Sequence, residues 1–110
     1  MANGQALKGR VALITGASGG VGVYATQLAK LSGAIVVASV RREEAVSIAR
    51  EAGADEVVVG ENLDAAVPYG PYDLVLESVG GEVLSGALAQ IAPGGSIVLF
   101  GTSAGGQVTF

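Results

Sequence analysis

Cysteine and histidine do not occur in this chain. Without cysteine there is no disulfide framework, and without either residue the usual sulfur and nitrogen ligands of zinc are absent, so the chain is expected to hold no zinc. Charge is scarce as well: six basic and ten acidic residues make up 15% of the sequence and leave a net charge of −4. Apart from Lys8 with Arg10 and the adjacent Arg41 and Arg42, the basic residues stand alone, so no positive face draws in nucleic acid. No apolar run approaches the roughly 18 residues of a bilayer-spanning helix, and no charged N-terminal segment leads into a hydrophobic one. These absences set the expectation of a soluble, cytoplasmic protein that meets neither nucleic acid nor membrane.

What is present is apolar and regularly punctuated. Half of the 110 residues are hydrophobic and 18 are glycine, the balance of a folding domain rather than of a disordered tail. The length suits one domain with its own core, residues 1–6 reading as a flexible N-terminal segment. The glycines fall at the ends of apolar runs, where they act as stop signals instead of forming a linker.

Val11 to Ile14 is an unbroken apolar run ending at Thr15-Gly16, as expected of a strand covered on both faces. Val21, Ala25, Leu28 and Ala29 then recur at helical spacing up to Gly33, a helix of about three turns. Ile35 to Ala38 reads as a second strand, and Ala45, Ile48, Ala49 and Ala52 as a second helix stopped by Gly53. Val57 to Val59 gives a third strand, a short helical turn falls near Asn62 to Val67, and Leu74 to Leu76 gives a fourth strand. Leu84, Ala87, Leu88 and Ile91 predict a third helix, closed by Pro93-Gly94-Gly95 before a fifth strand at Ile97 to Phe100. Strands alternating with helices need right-handed crossovers. The expected fold is therefore α/β, a doubly wound parallel sheet of five strands in the order 3-2-1-4-5 with helices on both faces. A ligand of such a sheet sits at the carboxyl ends of the strands, beside the first and fourth.

The turn that enters this position is Thr15-Gly16-Ala17-Ser18-Gly19-Gly20-Val21-Gly22. Gly19 lets the backbone approach a diphosphate, Gly22 lets the helix pack tightly on the sheet, and the amides around Gly20 and Val21 lie at the partly positive helix end. A glycine-rich turn can also join strand to helix with no ligand. Its place inside a complete strand-helix-strand unit favours dinucleotide binding through Ala17, Ser18, Gly19, Gly20, Val21 and Gly22.

The chain resembles a known family through several ordered motifs. These are Gly16-Ala17-Ser18-Gly19-Gly20-Val21-Gly22, Gln27-Leu28-Ala29-Lys30, Gly53-Ala54-Asp55, Tyr72-Asp73-Leu74-Val75-Leu76-Glu77-Ser78-Val79-Gly80-Gly81 and Ala92-Pro93-Gly94-Gly95. Together, over about residues 7 to 106, they look like the quinone-oxidoreductase branch of the medium-chain dehydrogenase/reductases, in which Ala replaces the first glycine of the turn, as Ala17 does here. The resemblance implies a Rossmann domain and a zinc-independent, NAD(P)H-dependent reduction of a quinone, enone or similar conjugated carbonyl. It also implies a separate, mainly β substrate domain and a sixth strand, neither of which this sequence contains. The expectation is an NAD(P)-binding domain without its catalytic domain and without turnover of its own, since positioning of the substrate would be lacking.

No carboxylate ends the second strand to accept the adenosine ribose hydroxyls. Instead Ser39, Arg41 and Arg42 offer a hydroxyl and two guanidinium groups where a 2′-phosphate would lie, which predicts NADP(H) over NAD(H). The same arginines could simply solvate the start of the second helix. Many relatives place Asn-Tyr after the third strand, where this chain has Val59-Gly60. Ser78, Val79 and Gly80 after the fourth strand, and Gly101, Thr102 and Ser103 after the fifth, are candidates for the nicotinamide side, although such residues are also ordinary turn formers. Glu77 reads as a carboxylate that fixes its neighbouring loop rather than as a catalytic acid, because no second acid or base accompanies it. No catalytic residue is assigned.

Two other readings stay open. The glycine turn and the opening Leu7-Lys8-Gly9-Arg10-Val11-Ala12-Leu13-Ile14 also look like the short-chain dehydrogenases. That family's Tyr-x-x-x-Lys spacing does not occur here, and Glu77-Ser78-Val79-Gly80 stands where it normally has Asn-Asn-Ala-Gly. The other is a noncatalytic interaction module that keeps the fold. An uncovered fifth strand, with Ile97 to Phe100 and Val108 to Phe110 apolar, predicts a dimer or larger species formed through that edge.

Overall fold

The computed structural model describes residues 6–100. Five strands, β1 (Val11–Ile14), β2 (Ile35–Val40), β3 (Glu56–Val59), β4 (Tyr72–Glu77) and β5 (Ile91–Leu99), alternate with three helices, α1 (Gly20–Leu31), α2 (Val46–Ala52) and α3 (Gly81–Leu88). All pairings are parallel and the order is β3-β2-β1-β4-β5, the doubly wound Rossmann arrangement that the strand-helix alternation predicts.

The pleat explains why the strands read as continuous apolar runs. Successive residues point to opposite faces, and both faces are covered. Ala12 and Ile14 of β1, with Val36, Ala38 and Val40 of β2, pack against Ala25 and Ala29 of α1 and Ala49 of α2. Leu13, Val37 and Val75 point the other way, towards Ala87 of α3 and towards Leu63 and Ala66, at and within a 3-10 helix (Asp64–Tyr69). The alanines on the helices let them lie close to the sheet. The side chains of α1 that face away form an apolar stripe, with Val21, Tyr24, Leu28 and Leu31 largely exposed. A groove of about 270 Å³ runs beside it, lined also by Leu74, Leu76 and Phe100.

The expected third helix and fifth strand need correction. α3 stops at Leu88, and Ile91 is the first residue of β5, opposite Tyr72. The next aligned pair is Leu74 with Ser96, so Pro93-Gly94-Gly95 forms a bulge inside the strand instead of a helix terminator. Proline has no amide for the ladder and glycine packs poorly in it, which is why both collect at such irregularities. The other boundaries differ less: β2 extends to Val40, a 3-10 turn (Glu43–Ala45) precedes α2, and the turn expected near Asn62 to Val67 is the 3-10 helix at Asp64–Tyr69. Gly101, Thr102, Ser103, the Val108 to Phe110 segment and the first five residues of the expected N-terminal arm lie outside the described residues.

Far from the carboxyl ends of the strands, Asp55 joins three elements. Its carboxylate accepts from the Lys30 ammonium of α1 at 2.8 Å and from the Val36 amide of β2 at 2.7 Å, just before β3 begins. Burial pushes the Asp55 carboxyl up, but the hydrogen bonds from Lys30 and Val36 and the Lys30 charge outweigh it and hold the group below its ordinary 3.8. A folded-state value below the unfolded one stabilises the fold above that ordinary value, and the contribution disappears as pH falls through the folded value. Asp55→Asn is therefore expected to lower stability at neutral pH and to flatten its decline below about pH 4, read as thermal unfolding midpoints across pH.

Candidate functional site

β1 lies between β2 and β4, and the chain leaves β1 towards β2 but later returns on the other side through β4. At this switch point the connections diverge and leave a crevice at the carboxyl ends of the strands. A cavity of about 930 Å³ opens there. One wall is the β1–α1 turn, with Gly16, Ser18, Gly19, Gly20, Val21 and Gly22. Val40, Arg41 and Arg42, at the end of β2 and just beyond it, form the second wall, and Glu44, Ala45, Ile48 and Glu61 lie next to them. Ser78 and Val79, after β4, close the opposite end.

The glycines of the turn have different physical reasons. A Cβ on Gly22 would lie 2.2 Å from the carbonyl oxygen of Gly16 and 2.7 Å from Ala17 Cα, so the chain's own backbone fills that space. Around Gly20 nothing comes within 4 Å of such an atom, and at Gly19 only the Gly16 oxygen does, at 3.6 Å. Both of these residues border the cavity. Protein packing therefore requires Gly22, whereas Gly19 and Gly20 keep free a space that no part of the described chain uses.

α1 begins at this point with Gly19 as its N-cap, no side-chain capping bond and no acidic residue in the first turn. Its leading amides lack intrahelical acceptors, and no acidic side chain of its own first turn balances the positive end of the helix dipole. Among the described residues the ion pairs are Arg10 with Asp73 and Lys30 with Asp55, so neither Arg41 nor Arg42 is tied to a carboxylate. Both are exposed at the cavity. An uncapped helix start beside two free guanidinium groups is suited to phosphate groups.

The structure places the expected site residues as follows. Ser18, Gly19, Gly20, Val21, Gly22, Arg41, Arg42, Ser78 and Val79 share the cavity. Ala17, Ser39 and Gly80 are not among its lining residues. Ala17 is buried and its amide donates to the carbonyl of Ser39 at 3.1 Å, which ties the turn to β2. Gly80 adopts φ of +86°, a left-handed conformation that favours glycine. It precedes α3 and donates its amide to Glu77.

Glu77 is almost completely buried. Its Oε2 accepts from the Thr15 hydroxyl at 2.6 Å and the Val79 amide at 3.1 Å, and its Oε1 accepts from the Gly80 amide at 2.7 Å. The carboxylate thus fixes the loop after β4, as its position in the sequence suggests. Thr15, whose role the sequence did not show, links this loop to the glycine turn: its Oγ1 accepts from the Ser78 amide and its carbonyl accepts from the Ser78 hydroxyl, both at 3.0 Å. Glu61, two residues beyond β3, also escaped notice, although the rule that ligands meet strand carboxyl ends could have found it. Tyr72 stands at the opposite end of β4, where burial, with Tyr69 adding to it, pushes its phenol up to about 12. The phenol donates to the Ala66 carbonyl at 2.6 Å and supplies no acid to the cavity.

Among the described residues no cluster of three potential ligands could hold a metal, and no helix is long and apolar enough to cross a membrane.

Residues 20–110 match the model of a family described as zinc-binding dehydrogenase. The chain is 40% identical over 95 residues to an acryloyl-coenzyme A reductase of Sulfurisphaera tokodaii, covering 86% of this chain and 28% of that protein. It is 36% identical over 105 residues to a putative quinone oxidoreductase, YhfP, of Bacillus subtilis, covering 92% and 32% respectively. A solved structure of the mycobacterial protein Rv1454c complexed with NADPH superimposes with a TM-score of 0.79 at 27% identity, covering 94% of this chain and 34% of that one. The chain thus spans about a third of the length of the proteins it resembles.

Proposed function

Since the chain belongs to the medium-chain dehydrogenase/reductase family, in the group described as zinc-binding dehydrogenases, we propose that its cavity binds NADP(H) in preference to NAD(H). The observation that carries this reading is the pair of glycines, Gly19 and Gly20, whose missing side chains leave open space beside an uncapped helix start. That space admits a diphosphate, which would accept hydrogen bonds from the first amides of α1. Arg41 and Arg42 would hold the 2′-phosphate of the adenosine ribose; β2 itself ends without a carboxylate, and the two guanidinium groups offset Glu44 and Glu61 on the same wall. Ser78 and Val79, on the far side of the turn, would meet the nicotinamide half.

When bound, the cofactor supplies the hydride for reduction of a conjugated carbonyl, the chemistry suggested by the quinone and acryloyl-thioester reductases among the relatives. The residues described here bind and orient it. Placement of the acceptor and exclusion of water belong to a further part of the polypeptide or to a partner, so these 110 residues alone bind cofactor without turning substrate over. The name of the family includes zinc, but this sequence has no cysteine or histidine with which to hold it.

Calorimetric titration tests the reading. NADPH is expected to bind about ten- to a hundredfold more tightly than NADH, as one charge-assisted contact of about 1.5 to 3 kcal/mol would give. Arg41→Ala with Arg42→Ala should remove most of that difference. Equal affinities in the unmodified chain would overturn the role of the arginines, and failure of both nucleotides at millimolar concentration would overturn the site.

Self-association is a second part of the proposal. β5 lies at the sheet edge, paired only with β4 among the described strands, and an unpaired edge offers its amides and carbonyls to another chain. Sedimentation velocity over a range of concentrations is expected to show a dimer or larger species; a monomer throughout would reject this part.

A further inference from the structure

We propose that Glu77 is a positioning residue for the nicotinamide half of the dinucleotide, an assignment that rests on the binding reading above. Glu77 is not among the residues lining the cavity, and it is 1% exposed, so it acts only through what it holds. Its three donors are the Thr15 hydroxyl and the amides of Val79 and Gly80. None of them carries a charge, and neither ion pair among the described residues includes Glu77. A buried carboxylate compensated by neutral donors alone is sensitive to losing any of them.

The geometry shows what the arrangement controls. Residues 78–80 leave the end of β4 and turn through Gly80, at φ of +86°, into α3. Two of the amides in that short path end on Glu77, while the Ser78 amide and hydroxyl end on Thr15, the residue that opens the glycine turn. Thr15 in turn donates to Glu77. The Glu77 carboxylate, with the hydroxyl and carbonyl of Thr15, therefore helps to set the position of the Ser78–Val79 wall relative to the wall formed by the β1–α1 turn. Arg41 and Arg42 stand beyond the other side of that turn, at the end of β2. The hydrogen bonds of Glu77 thus reach one end of the cavity directly, and none of them reaches Arg41 or Arg42. A wall already ordered before the ligand arrives spares the entropy of ordering it on binding.

The experiment compares two probes on the full chain: NADPH, and adenosine 2′,5′-bisphosphate, which reproduces only the half that carries the 2′-phosphate. Glu77→Gln keeps the shape of the side chain but puts an amide donor where an oxygen accepted. It is expected to weaken NADPH about tenfold while leaving the bisphosphate within about twofold, so that the advantage of the whole dinucleotide over its half shrinks. Equal weakening of both probes would mark a general structural role, and unchanged binding of both would mark no role; either overturns the proposal. Should the Glu77→Gln chain not fold, Thr15→Val decides in its place, with the same unequal loss expected and an equal loss or none as the contrary result. If the unmodified chain bound neither probe, the binding reading itself would fall, an outcome distinct from all of these.

Discussion

Gly22→Ala is expected to cost about 3 kcal/mol or more of folding stability, enough to leave much of the chain unfolded if its total lies near the lower end of the usual 5 to 15 kcal/mol. The new methyl carbon would lie 2.2 Å from the Gly16 oxygen and 2.7 Å from Ala17 Cα. Both are backbone atoms, so no side chain can rotate away. The turn is held on either side as well: the Ala17 amide bonds to β2 and the Thr15 amide to the Leu76 carbonyl of β4. Relief must come from moving α1 off the sheet, which opens the contacts of Ala25 and Ala29 with the core. Thermal unfolding followed by circular dichroism should show a midpoint lower by at least about 12 °C, at some 4 °C per kcal/mol for a domain of this size. Gly20→Ala, where nothing lies within 4 Å of the added atom, is the control and should unfold close to the unmodified chain.

Gly19→Ala should behave in the opposite way, losing the ligand and keeping the fold. Its φ of −80° and ψ of 170° are accessible to alanine, and the nearest atom to the added carbon is at an ordinary contact distance. The expected cost in stability is about 1 kcal/mol or less, since glycine is only a moderately better N-cap than alanine. In the proposed complex, however, the methyl group occupies the approach of the diphosphate to the leading amides of α1. Losing two charge-assisted hydrogen bonds at about 1.5 to 3 kcal/mol each corresponds to a hundredfold or greater loss of affinity for NADPH. Titration of the folded variant measures it; retention of binding within a fewfold of the unmodified chain would place the diphosphate elsewhere. The two substitutions together separate the glycine needed by the protein from the one reserved for its ligand.

Much of this architecture could be read from residue order. The apolar runs of β1 and β2 are long enough to need cover on both faces, and the glycines at 33 and 53 follow their helices closely. Where the structure departs from residue order, one pattern imitates another. Leu84, Ala87, Leu88 and Ile91 have helical spacing, yet Ile91 belongs to β5, because a strand interrupted by Pro93-Gly94-Gly95 looks in sequence like a helix end followed by a new start. The candidate site was legible to the level of the segment but not of the side chain. Ser39 has the strand parity of Val37, which packs on the opposite face of the sheet from Val40, and Val40 is the one that reaches the cavity. Thr15 was hidden for another reason. Its partners lie 62 and 63 residues further along the chain, and no local pattern reports so distant a pairing.

That separation also bears on how the polypeptide assembles during synthesis. Among the described strands the innermost comes first in the chain, and it gains its second neighbour only after β4 has emerged. Until then β1 exposes an unsatisfied row of amides and carbonyls on one side, so in nascent chains ending before β4 the future central strand is an open apolar edge. Pairing between distant segments slows the folding of a sheet, and the open edge of the incomplete one is a template on which such a chain can aggregate.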